Sequence, residues 1–449
     1  MIDRDRLTTL LRRERATFTD RHPRSAAAYA DAGHLFGRVP MTWMNKTSAG
    51  FPIYLAGAHG ATVGDIDGHE YADFSLGDTG AMAGHSPAAV VQAVQERLGV
   101  LGGAATMLPT TEAAWVGAEL ARRFGVPFWS FTLTATDANR WAIRLVRAIT
   151  GRPKILFNSY CYHGSVDESL IVIDDGRATD RDGNVGAPVP VTETSRVAEY
   201  NDLAGLEREL AQGDVAAVLM EPALTNIGIV LPEPGYLDGV RDLTRRYGAY
   251  LINDETHTFC AGPGGATKAW GLDPDLVTIG KAIGGGVPAG AYGLSEEVAT
   301  AINRRDDLDL VDMGGVGGTL AGSPLSVAAT RATLEHVLTD DAFPGMIDRA
   351  TRFAEGVGAA IADLPWTVQQ LGARVEYRFT RPAPVNGLEA ARAADPELDD
   401  YFHVYLANRG VLLTPFHNMA LMSPATTDEQ VDTHTRIFTE AVLELGQRT

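Results

Sequence analysis

Cysteine is nearly missing from this chain: Cys161 and Cys260 are the two thiols in 449 residues. Two cysteines cannot make a disulfide framework in so long a chain, and no C-x-x-C spacing offers a metal site. A reducing cytosol is the expected setting. Lysine is scarce as well. Only Lys46, Lys154, Lys268 and Lys281 stand among 38 basic residues, the rest being arginine. Positive charge is short overall. A formal net charge of −19 argues against a nucleic-acid backbone or an anionic membrane as the main partner, and leaves small substrates open. No apolar run reaches the length of a bilayer-spanning helix. The opening "MIDRDRLTTLLRRERATF" lacks the apolar core of a signal peptide. There is neither an internal repeat nor a low-complexity tract.

What is present is ordinary globular composition, 45% hydrophobic and 21% charged, enough to fill two or three packed domains. Residues 1–33 read as helix then loop. Residues 52–75, "PIYLAGAHGATVGDIDGHEYADFSL", alternate apolar and polar around a D-x-D-G turn and predict a small antiparallel unit. Asp65 and Asp67 there lack the glutamate of a calcium loop and read as turn residues. From 76 to 325 short apolar strands alternate with helices. "FWSFTLTA" (128–135) leads into a helix over 136–150. On it Ala138, Ala142, Leu145 and Ile149 share one face, and Arg140, Arg144 and Arg147 another. "KILFN", "VAAVLMEP", "AYLINDE", "DLVTIG" and "PAGAYGLS" follow. The pattern predicts an α/β fold with a mostly parallel sheet covered by helices. The expected division is 1–75 (N-terminal segment and part of a small domain), 76–325 (large domain) and 326–449 (C-terminal small domain). The segment 181–190 is expected to be an exposed loop.

In such sheets ligands gather where strands end. "LINDE" ends on Asp254, and "LVTIGK" ends on Lys281, 27 residues later. "FTLTATDA" ends in hydroxyls and opens a helix. "NSYCYHG" sets Tyr162 and His163 just past another strand. An acid, an amine, an aromatic ring and a helix N-terminus at one rim suit pyridoxal phosphate. The amine forms a Schiff base with the aldehyde. A buried carboxylate keeps the pyridine nitrogen protonated. The helix N-terminus receives the phosphate, and the ring stacks on the pyridine.

Taken in order, "DIDGHEYADF", "GH" at 84–85, "TATDA", "CYHG", "EP" at 221–222, "NDETH", "TIGKAIGGG" and "GGTLAGSPL" resemble the class III aminotransferases of fold type I. Glutamate-1-semialdehyde aminomutase and the β-amino-acid and aminopolyol aminotransferases are the similar members. The resemblance covers roughly residues 35–440. It implies a fold type I transferase whose smaller α+β domain is built from both termini. It makes Lys281 the Schiff-base lysine and proton shuttle, and Asp254 the partner of the pyridine nitrogen. Thr134, Ala135 and Thr136 would cradle the phosphate, where relatives often carry S-G-T-E-A. Tyr162 would stack on the ring. Asn226 would lie near the phenolic oxygen, with His163 and Thr256 also in the cofactor's surroundings. Gly318 and Thr319 match a pair that reaches the phosphate from the other subunit, which implies a homodimer with shared sites.

The chain departs from these relatives at the substrate end. Met44 stands where the aminomutase places a carboxylate-binding arginine, and Phe416 where β-amino-acid aminotransferases place theirs. Neither replaces a bidentate guanidinium. Trp43, Asp78, Thr79, His417 and Asn418 are the candidate pocket residues, and Arg38 is a further carboxylate contact. Lys268 reads as an exposed-loop decoy, and Cys161 and Cys260 as small buried residues. His163 and His257 stay open between acid–base and structural roles. The expected activity is transfer of an amino group from an amine or non-standard amino acid to a keto acid or aldehyde. The alternatives are an aminomutase or epimerase that keeps the group on one molecule, and a non-catalytic cofactor binder.

Overall fold

A computed structural model describes residues 2–305, 307 and 315–446. The chain divides into two compact units. One combines residues 1–87, 344–383 and 393–449; the other combines 88–343 with 384–392. The chain ends therefore meet in one unit, while the middle of the sequence builds the other.

The middle unit is organised by a seven-stranded sheet. Its order is Phe128–Thr132, Gly290–Leu294, Leu276–Ile279, Tyr250–Asp254, Val215–Met220, Lys154–Asn158, Ser195–Ala198. Only Gly290–Leu294 runs antiparallel to its neighbours. The central strands Val215–Met220 and Leu276–Ile279 are buried at every position, as expected of strands covered on both faces. The helix Ala135–Thr150 covers one face. Ala138, Ala142, Leu145 and Val146 enter the core beside Leu156, Val218 and Ile252. Thr134 caps its start, and Gly151 ends it at φ 67°, a left-handed position that suits glycine. The last strand in the sheet, Ser195–Ala198, is one the sequence reading lacked.

The terminal unit begins with two helices, Arg4–Arg21 and Pro23–Asp31. The second corrects the expected loop before residue 33: Pro23 sits in a first helical turn, where its missing N–H costs nothing. The expected antiparallel unit is present as Leu55–His59, Thr62–Asp65 and Glu70–Asp73, joined in parallel by Val411–Leu412. Asp67 accepts from the backbone N–H of Arg24 (2.7 Å) and Ser25 (3.0 Å), so it is a structural turn residue. A second sheet pairs Thr367–Leu371, Arg374–Arg378 and Met419–Leu421. Its core is aromatic: Phe379 and Phe402 stack at 5.5 Å, with Trp366 and Tyr377 against them. Among the described residues no helix is long and apolar enough to cross a membrane.

Candidate active site

The acid and the amine leave neighbouring strands at the same level. Strands Tyr250–Asp254 and Leu276–Ile279 are parallel, with Asp254 opposite Thr278. Three residues past this pair come His257 on one chain segment and Lys281 on the other. Lys281 Nζ lies 2.8 Å from His257 Nε2. The lysine itself has φ 47°, the left-handed region that bulky residues avoid. The turn before it needs glycine: a Cβ on Gly280 would stand 2.7 Å from the backbone nitrogen of Ala135. The lysine turn is thus packed directly on the first turn of the helix Ala135–Thr150.

Asp254 is buried, and its carboxylate is held by three donors. Oδ2 accepts from Asn139 Nδ2 (2.8 Å) and faces His163 Nδ1 (2.8 Å), while Oδ1 accepts from Thr256 N (3.1 Å). Burial alone would raise its pKa. The His163 hydrogen bond and charge, with the other donors, outweigh burial and hold it below the usual carboxylate range. For His163, burial opposes the charged ring, yet the neighbouring carboxylate helps carry its pKa well above the ordinary value. Asn139 was not singled out from sequence. Its amide also donates to His163 O (3.1 Å) and accepts from Thr278 Oγ1 (2.6 Å), so one side chain ties helix, loop and two strands together. A polar residue beside Ala138 on the apolar face was the available signal.

The Tyr162–Ser165 loop is pinned to the same helix start. Ser165 N donates to Thr136 Oγ1 at 3.2 Å, and a Cβ on Gly164 would sit 2.0 Å from that hydroxyl. Tyr162 is half-buried, and its N–H reaches Glu221 Oε1 at 3.3 Å. Glu221 is buried, which pushes its pKa up to about 7. At the helix start Thr134 Oγ1 accepts from Asp137 N (3.2 Å) and donates to Asp137 Oδ2 (3.1 Å). Its hydroxyl therefore serves the cap, and the backbone N–H groups of Ala135 and Thr136 are the ones with no helical carbonyl behind them. Asn226 turns its amide oxygen to Arg181, 3.1 and 2.7 Å from the two terminal nitrogens. Arg181 Nη1 also donates to Cys161 O (3.0 Å). The segment 181–190, expected to be loop, thus opens with a half-buried arginine anchored beside Tyr162.

The structure therefore brings Asp254, His163, Thr256, Lys281, Thr134, Ala135, Thr136 and Tyr162 to one rim, and ties Asn226 to it through Arg181. Gly318 and Thr319 lie on an exposed turn of the same unit. Lys268 is exposed as expected, though on a short helix, Gly265–Ala269, and not in a loop. Cys161 and Cys260 are buried and outside any disulfide, as expected of small buried residues.

Trp43, Asp78, Thr79 and His417 belong to the terminal unit. Trp43 meets Phe416 edge-on at 5.3 Å, and Lys46 Nζ lies 5.7 and 5.8 Å from the two ring centres. Met44 is exposed. Arg38 is engaged locally, donating to Ala30 O at 3.0 Å. Asn418 donates to Asp399 Oδ1 at 2.6 Å. Asp78 (φ 48°) and Thr79 (φ 86°) hold unusual backbone conformations. The buried Arg374 donates to Thr79 Oγ1 and lies 3.9 Å from Asp78 Oδ1. Burial holds the His417 pKa below its ordinary value.

The residues at the rim fit pyridoxal phosphate: a buried carboxylate kept ionised, an amine on a fixed turn, and a helix N-terminus against which that turn packs. The family model "Aminotransferase class-III" matches residues 43–442. The chain belongs to the class III aminotransferase family. Its cofactor is pyridoxal 5′-phosphate. It is 36% identical over 430 residues to glutamate-1-semialdehyde 2,1-aminomutase of Desulfitobacterium hafniense (strain Y51), covering 92% of this chain and 96% of that one. Among solved structures, a glutamate-1-semialdehyde-aminomutase from Pseudomonas aeruginosa PAO1 superposes with a TM-score of 0.95 at 46% identity, covering 99% of both chains. A lysine-to-alanine variant of that protein was solved in complex with PMP. An omega-transaminase from Sphaerobacter thermophilus gives a TM-score of 0.84 at 28% identity, covering 94% of this chain and 98% of that one. The fold type I architecture expected for this class III member is the one observed.

Proposed function

We propose that this class III member is an aminomutase of the glutamate-1-semialdehyde type, moving an amino group between adjacent carbons of one substrate. The observation that supports it best is the full-length likeness to the Pseudomonas aeruginosa protein of that name, 46% identical over 99% of both chains. This reading inverts the order expected from sequence, where transfer between two molecules came first.

When bound, the cofactor takes up the amino group and delocalises the charge left when a proton leaves the substrate carbon. The chain supplies the rest. Asp254, ionised and fixed by Asn139, His163 and Thr256, would keep the ring nitrogen protonated. The N–H groups of Ala135 and Thr136 would hold the phosphate. Tyr162 would pack on the ring, and Asn226, fixed by Arg181, would serve its phenolic oxygen. Lys281 would bind the cofactor through Nζ and serve as the base that moves the substrate proton. Gly318 and Thr319 would serve a neighbouring copy's phosphate in a homodimer, in a cytoplasmic setting.

A second reading, transfer from an amine to a separate keto acid or aldehyde, is favoured by Met44 and Phe416 at the two arginine positions.

The test is turnover without an acceptor. Holoenzyme given glutamate-1-semialdehyde alone should form an isomer of equal mass over many turnovers, and Lys281→Ala should form none. Turnover that appears only after a keto acid or aldehyde is added would restore the transfer reading. No reaction under either condition removes both.

A further inference from the structure

We propose that His257 is the proton partner of Lys281, a second catalytic acid–base group at the reacting nitrogen. The inference rests on the reading of Lys281 as the cofactor lysine and goes beyond it. Geometry carries it. His257 and Lys281 each stand three residues beyond the paired Asp254 and Thr278, so parallel strand register delivers both to one level. Nε2 and Nζ are then 2.8 Å apart, a hydrogen bond along which a proton passes with little motion of either group. Neither side is placed loosely. Gly280 locks the lysine turn against Ala135, and His257 leads directly into the tight turn Thr258–Ala261, whose Thr258 hydroxyl donates to buried Glu255 at 2.5 Å.

The chemistry needs such a partner. A lysine amine attacks an aldehyde, or removes a proton from carbon, only as the neutral base. In the proposed step an N–H bond of the Lys281 ammonium breaks as an N–H bond forms at His257 Nε2. Positive charge passes from Nζ to the imidazole, with no change of oxidation state. The reverse step returns the proton to Nζ. With the ammonium as donor, Nε2 is the acceptor, which puts the neutral imidazole's own proton on Nδ1.

The test reads Lys281 directly and does not depend on which amino transfer the enzyme performs. Apoprotein is mixed with pyridoxal phosphate, and growth of the visible band is followed at pH 7, with borohydride trapping and mass mapping to place the adduct. His257→Ala should slow band formation about 100-fold, the low end of general acid–base effects. Added imidazole should restore the rate in proportion to its free-base concentration, which a merely structural histidine would not show. His257→Gln keeps an acceptor for the ammonium but carries no proton. It should be slowed similarly, and it is the variant to read if the alanine variant does not fold. Parental rates in His257→Gln, or a slow His257→Ala that imidazole leaves slow, would overturn the proposal while leaving Lys281 as the cofactor lysine. If the parent traps no adduct at residue 281, the underlying reading fails instead.

Discussion

Asn139→Leu tests whether the Asp254 carboxylate is held by its neighbours or by burial alone. Leucine keeps the branched outline of asparagine and suits the apolar face of the helix, but it is bulkier, so the loss combines the missing polar contacts with a packing term in this buried site. Three contacts are removed: the donation to Asp254 Oδ2 (2.8 Å), the donation to His163 O (3.1 Å) and the acceptance from Thr278 Oγ1 (2.6 Å). The first is a hydrogen bond to an ionised group, worth about 1.5–3 kcal/mol. The other two leave a buried carbonyl and a buried hydroxyl with one partner fewer, at about 1–3 kcal/mol each. Allowing for relaxation, the variant should lose about 4 kcal/mol. The carboxylate should also protonate more readily, because one of the donors holding its pKa down is gone. Urea unfolding of the apoprotein reads the first effect, and retention of cofactor on dialysis reads the second. An unfolding midpoint and cofactor retention both equal to the parent's would refute the argument, since the amide would then be replaceable by hydrocarbon.

Three further outcomes follow from buried groups. Glu221 keeps its proton to about pH 7 in the folded chain but releases it at an ordinary carboxyl pKa when unfolded. The folded state therefore binds more protons between pH 4.5 and 7, and stability falls as pH rises through that window, by at most about 1.4 kcal/mol per unit. Glu221→Gln should flatten that slope in denaturant titrations, and a slope unchanged from the parent's would reject the assignment. His434 lies stacked on Phe353 at 4.1 Å, with neither ring nitrogen hydrogen-bonded among the described residues, and burial lowers its pKa to about 3. Because only the unfolded ring takes a proton as pH falls from 6.5 toward 3, stability is lost over that range. His434→Phe should gain about 1–3 kcal/mol at pH 7 and soften the acid limb; lower stability at every pH would contradict this. Arg374→Met frees Thr79 Oγ1 and should cost about 2–4 kcal/mol, with faster amide exchange over residues 76–80, where φ is positive at four consecutive positions. Exchange that stays as slow as in the parent would show that the segment holds its shape without the arginine.

The parts of the site that were legible lie where an apolar run stops at a charged residue. "LINDE" and "LVTIGK" show this directly, because a strand buried on both faces has no reason to end on an acid or a lysine unless something meets it there. Position alone also marked the helix after "TLTA", where hydroxyls and a small residue precede an amphipathic period. What stayed hidden depends on partners remote in the chain. Asn139 reads as the edge of a helix face until Asp254, 115 positions away, is seen 2.8 Å from it. Arg181 reads as loop until Asn226 and the Cys161 carbonyl are found around it. The strand Ser195–Ala198 is four residues long and carries Arg196, whose charge is matched by Asp214 and Glu209, so neither length nor pattern announces it. The helix Pro23–Asp31 was lost to a proline that in fact marks its first turn.

On the proposed reading the rim in the middle unit lifts an amino group from a carbon, but it does not by itself choose where the group goes. Both readings of this family member use the same lysine to move the same proton and the same carboxylate to hold the ring nitrogen charged. The difference lies in what happens to the substrate once it has given up its nitrogen. If it stays bound, its neighbouring carbon can take the group back and the net reaction is a migration; if it leaves, another carbonyl must enter and the net reaction is a transfer. Each 1.4 kcal/mol by which the chain slows escape relative to re-addition shifts that partition tenfold.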